Sequence, residues 1–193
     1  MLRVILGSIL SAILMFVWGF VVWGIVATML PDKLGRFRPY KELPAEAQTA
    51  VLSAMQGVEP GTYQYPPMDF STKEAQEESE KLAAAGPFLL IGHGTNIQQN
   101  VNITYAIGFA HMLFAAFLMG SLLRIAAPAI KSFGSRMFFI VAMGLTGTVY
   151  ILGRDIIWYH QEMGHYFFLA GYYLGSFILA GIVLGAMIRP EDA

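Results

Sequence analysis

Residues 103–188 read ITYAIGFAHMLFAAFLMGSLLRIAAPAIKSFGSRMFFIVAMGLTGTVYILGRDIIWYHQEMGHYFFLAGYYLGSFILAGIVLGAMI. Only Arg124, Lys131, Arg136, Arg154, Asp155 and Glu162 carry formal charge in this stretch, and they separate three long apolar runs. A chain of this size holds too little polar sequence to wrap such runs in a water-soluble core. The stretch therefore reads as three membrane-spanning helices, at 103–123, 137–157 and 166–188. Arg124 and Pro128 close the first, and Arg189 and Pro190 close the last.

The totals agree with a membrane class. The 193 residues are 56% hydrophobic and 13% charged, against roughly a quarter charged in ordinary globular domains. Mean hydropathy is +0.56. A net charge of -1 without a basic patch argues against a nucleic-acid partner. With no cysteine there are no disulfides, thiolate ligands or iron–sulfur clusters, so any metal must sit on His, carboxylate or Met.

A further apolar run, residues 4–30, is free of charge. It covers about 40 Å as a helix, too long for a signal-peptide core, and reads as a retained first span. Gly7, Ser8, Ser11 and Ala12 give its first turns a small-residue face. Residues 31–102 differ in kind, with nine acids, six bases and seven of the nine prolines. They are expected to form a small mixed extramembrane cap. Within it, Pro44 to Gln56 is expected as a short helix with Ala47, Val51 and Met55 repeating every four residues. Ser71 with Glu74 predicts a capping box that opens a second helix over 72–85. Gly61 to Met68 is expected to be extended by its prolines, and Phe88 to Ile91 to be a strand or extended run. The fold class is thus all-α, four transmembrane helices with the cap inserted between the first and second.

Four spans place both termini on one side. The short loop holding Arg124, Lys131 and Arg136, without an acid, puts that side in the cytoplasm by the positive-inside bias. Lys33, Arg36, Arg38 and Lys41 oppose this, but they belong to a segment longer than the bias governs. The expected location is a bacterial inner membrane, with residues 31–102 extracytoplasmic. On that topology His93, His111, His160 and His165 all fall on the outer side.

The densest polar stretch is Arg154, Asp155, Tyr159, His160, Gln161, Glu162 and His165. Glu162 and His165 have the Glu-x-x-His spacing that places two ligands on one helical face. His111, with small Gly108 and Ala115 beside it, is expected to face inward, since an ionisable group within a span is costly elsewhere. His111, His160, Glu162 and His165 are thus the candidate metal ligands, against the simpler reading of interfacial side chains bonded to water and headgroups. No cofactor is specified. Arg154 and Asp155 read as a structural ion pair. In the last span, Gly171, Gly175, Gly181 and Gly185 make two small-xxx-small steps, the pattern of close helix packing.

Met15-Phe-Val-Trp-Gly19, Pro60-Gly-Thr-Tyr-Gln-Tyr-Pro-Pro-Met68, Ala85-Gly-Pro87 before an apolar run, and a tyrosine-rich last span ending in a basic residue resemble an uncharacterised family of small bacterial four-span integral membrane proteins. The resemblance implies fold and membrane location and carries no activity. The histidines lie outside its motifs. Packing surfaces outnumber chemical groups, which points first to a non-catalytic accessory, structural or assembly subunit, with the lipid bilayer and proteins of a larger membrane complex as partners. A redox or metal-binding protein using the outer-side histidines is the alternative. A small channel or lipid-binding protein comes third.

Overall fold

The computed structural model describes residues 1–29, 40–94, 100–160 and 162–192. They form two compact units: one of Met1–Tyr40, Asn100–Ile157 and Gln161–Ala193, the other of Lys41–Gln99 and Trp158–His160. The fold is helical, with four helices long and apolar enough to cross a membrane and one two-stranded sheet.

In the first unit, α1 (Leu2–Gly19) runs on through π-helical turns at Phe20–Val26 into a short α2 (Ala27–Met29). The long helices α5 (Val101–Ala126), α6 (Phe133–Tyr159) and α7 (Met163–Met187) follow. At 25 to 27 residues each span measures about 37–40 Å, more than the ~30 Å of hydrocarbon. All four begin earlier than their apolar runs, and for α5 and α6 the cap shows why. The Asn100 side chain accepts from the Asn102 and Ile103 amides at 3.2 and 3.4 Å, so α5 starts at Val101. The Ser132 hydroxyl accepts from the Ser135 amide at 3.0 Å, so α6 starts at Phe133 and takes Arg136 inside.

The helices meet through small residues. Val4, Gly7, Ser8, Ser11, Ala12 and Met15 form the buried stripe of α1, repeating every three or four residues. They pack on Ala116, Met119, Gly120 and Leu123 of α5 and on Ala180, Leu184 and Ile188 at the end of α7. A Cβ on Gly7 would lie 3.1 Å from the Leu184 side chain, and one on Gly120 would lie 3.2 Å from Val4. Lipid tails are as apolar as leucine, so close van der Waals packing replaces the hydrophobic effect as the force between these helices.

In the second unit, α3 (Ala45–Ala54) has Pro44 at its cap, and Gly57 turns the chain with φ +76°. Pro44 therefore precedes the helix, which ends two residues short of the expected Gln56. Strands β1 (Gly61–Tyr65) and β2 (Leu89–His93) pair antiparallel, from Gly61 opposite His93 to Tyr65 opposite Leu89. The Tyr65–Pro66 bond is cis. Helix α4 (Lys73–Ala85) is capped by Thr72, whose hydroxyl accepts from the Ala75 amide at 3.1 Å. The expected Ser71 cap is displaced by one residue, because Asp69 Oδ1 accepts from the Ser71 amide at 2.8 Å. Ser71 thereby holds the Asp69 carboxyl below its ordinary pKa.

Candidate functional site

The four candidate metal ligands are divided between the two units. His111, Glu162 and His165 belong to the first unit, and His160 to the second. His111 is exposed on α5, contrary to the inward orientation expected for it. The packing face of α5 runs through Ala116, Met119, Gly120 and Leu123, and His111 lies about 140° round the helix from Ala116. Glu162 has extended backbone one residue before α7, so the Glu-x-x-His pair is not carried on regular helix. The His165 ring lies 5.4 Å from that of Tyr40. His160 has φ +49° and packs edge-on against Phe88 at 5.6 Å. Among the described residues, no group of three His, Asp or Glu side chains is placed to hold a metal ion. Lys33, Arg36, Arg38 and Gln161 lie outside the described residues. Arg154 and Asp155 pair at 2.8 Å.

Of the four α7 glycines in the small-xxx-small steps, three lie where a side chain has no room. A Cβ on Gly175 would meet the Trp18 indole at 2.6 Å, and Trp18 Nε1 donates to the Tyr172 carbonyl at 3.0 Å. Cβ atoms on Gly181 and Gly185 would each come within 3.2 Å of the Met137 backbone on α6. Gly171 has nothing within 4 Å of its Cβ position and is exposed, so it takes no part in these contacts. Lower on the same α6–α7 seam, a Cβ on Gly144 would overlap the Phe177 ring. α7 thus meets α1 on one side and α6 on another.

In the sequence Arg136 stands out only as a topological charge. It is 6% exposed, and its guanidinium donates to the carbonyls of Gly185 at 2.9 Å and Lys131 at 2.6 Å. Gly185 is in the last turn of α7, where carbonyls lack partners within the helix and the dipole favours a cation. Arg136 therefore ties the start of α6 to the end of α7 and satisfies a loop carbonyl. The one available signal was a basic residue opening an apolar run, which is too common to single it out.

The outer half of the α1 column is built differently. Phe16, Phe20, Tyr105 and Phe109 form one aromatic cluster, with ring centroids 5.1 to 6.4 Å apart. Trp23, Phe168 and Tyr172 form a second, at 5.2 and 6.0 Å. Between the two runs a groove of about 400 Å³, floored by Gly19 and Gly24 of α1 and the π-helical segment. Aromatic residues near a span's end are ordinary interfacial anchors. Here they also wall a cavity the size of a small-ligand pocket.

The second unit has its own cavity of about 380 Å³, lined by Pro66, Pro67, Met68, Phe70 and Phe88, with Glu80 and His160 at its edge. Met68 and Phe70 are 59% and 70% exposed. The surrounding unit is acidic, with eight Asp or Glu against three Lys over residues 41–99. Half of these acids, Glu74, Glu77, Glu78 and Glu80, lie on α4, which contributes Glu80 and Ala83 to the lining.

Comparison with known proteins adds no family: no family model, no curated protein and no solved structure matches the chain.

Proposed function

We propose that this chain is a non-catalytic multi-pass protein of the bacterial cytoplasmic membrane that serves as an accessory or assembly subunit of a larger complex. Both termini lie in the cytoplasm, and residues 31–102 form the extracytoplasmic part. The observation that carries the proposal is the apolar cavity of the second unit. Lipid accounts for the exposed Ile and Leu side chains of the long helices, but an acidic extramembrane unit meets water. Scattered exposed apolar residues need no explanation, whereas Pro66, Pro67, Met68 and Phe70 gathered round one cavity mark a surface that a partner covers. The acids of α4 beside it favour a partner with basic residues at its rim.

The test is purification from native membranes in mild detergent, comparing wild type with Phe70→Glu. A stoichiometric partner that stays with wild type and is lost from the variant is expected. A chain that runs alone as a small particle in both cases contradicts the proposal.

A further inference from the structure

The cavity of the second unit is tied by the chain itself to the end of α6. His160, part of its wall, follows directly on Tyr159, the last residue of that helix, and Trp158–His160 belong to the second unit. Phe88, which also lines the cavity, lies 6.4 Å from the Tyr159 ring and 5.6 Å from that of His160. The height of this wall above the hydrocarbon follows from the helix. No charge interrupts α6 between Arg136 and Arg154, so the hydrocarbon ends close to Arg154. Tyr159 lies about 8 Å further along the axis. One headgroup layer is about 5–7 Å deep. His160 therefore stands at the outer margin of the headgroups, with exposed Trp158 beneath it as an interfacial anchor.

That height rules out lipid as the occupant. Acyl chains stay in the hydrocarbon, a headgroup layer below, and headgroups offer nothing apolar to Pro66, Pro67, Met68, Phe70 and Phe88. A lipid phosphate is also repelled, because Glu80 stands at the cavity edge and α4 carries four Glu against Lys73 and Lys81. Glu77 is paired with Lys73 at 3.7 Å. Glu80 accepts only from the neutral Gln76 amide, at 2.9 Å, and meets no cation among the described residues. The cavity thus asks for an apolar side chain and its edge for a cation, both at headgroup height. A segment held at that height is the stretch just outside a transmembrane helix, whereas a wholly soluble protein would have to displace headgroups to reach it.

We infer that the partner of this cavity is itself a membrane-spanning protein that docks through the residues directly following the outer end of one of its spans, an apolar side chain entering the cavity and a Lys or Arg pairing with Glu80. The inference rests on the proposed function, which requires a partner there, and names the kind of partner. The apolar residue supplies the affinity and the charge the register.

Photo-crosslinking in living cells tests it. Phe70, 70% exposed in the cavity lining, is replaced in the full chain by photoreactive p-benzoylphenylalanine, and the crosslinked peptide is mapped by mass spectrometry. The crosslinked residue is expected within about eight residues of the outer end of a transmembrane segment, in a peptide that carries Lys or Arg. Glu80→Lys should lower the yield at least fivefold. Glu46→Lys, the same charge change on α3 outside the cavity lining, should leave it within twofold. A peptide remote from any span, or a yield unmoved by Glu80→Lys, overturns the inference and leaves the proposed function standing. Crosslinks to lipid alone, or to no protein, overturn both.

Discussion

The Val4–Met15 and Phe16–Val26 halves of the first span belong to one continuous helix, yet they solve opposite problems. The first presents Gly7, Ser8, Ser11 and Ala12, and its neighbours close in until a single added Cβ would touch Leu184 at 3.1 Å. The second presents Phe16, Phe20 and Trp23, unwinds into π-helical turns and holds its neighbours apart round a groove. In lipid, where burial from water no longer drives helices together, the size of the contacting side chains decides whether a seam closes or stays open.

The same substitution in the two halves tests that contrast. Gly7→Leu should be the most damaging, costing about 3 kcal/mol, because the side chain must enter the space of Leu184 and Met187. Reversible unfolding in mixed micelles measures it. Arg136→Met, at the same closed end, should cost about 2 kcal/mol, since it leaves the Gly185 and Lys131 carbonyls without their donor. Lysine should not rescue it, because one ammonium cannot reproduce the spread of the guanidinium. Gly175→Ala, at the boundary between the halves, should displace the Trp18 indole and break its bond to Tyr172, costing about 1 kcal/mol. A shift in Trp18 emission should accompany the loss. Gly19→Leu, in the open half, should change stability by about 0.5 kcal/mol or less, since only the Tyr172 hydroxyl approaches its Cβ position. An equal cost for Gly7→Leu and Gly19→Leu would erase the distinction.

Much of this was legible because charge is so costly in hydrocarbon: four long runs without acids become four long helices, and the prolines and acids between the first two become a separate unit. Helix starts were less legible. Asn100 and Ser132 are polar and look like loop, but each caps a helix and carries it two to four residues beyond the apolar run. Arg136 read as a residue outside the membrane helix, yet carbonyls of two segments let it enter and be buried. His111 read as inward from its small neighbours, which is weak evidence when the true packing stripe lies elsewhere on the helix. The Ser71 cap lost to Thr72 through one Asx turn. The π-helical turns at Phe20–Val26 were not legible, since the apolar run there reads as regular helix.

The account depends on the four helices crossing a bilayer, with the acidic unit on the side away from the loop between α5 and α6. The chain has no cysteine, so single cysteines report without background. Lys131→Cys in that loop and Ser53→Cys in α3 should be challenged in intact cells with a maleimide that cannot cross membranes. The account predicts that Ser53→Cys is labelled at once and Lys131→Cys only after permeabilisation; equal labelling of both before permeabilisation, or labelling of Lys131→Cys alone, would contradict it.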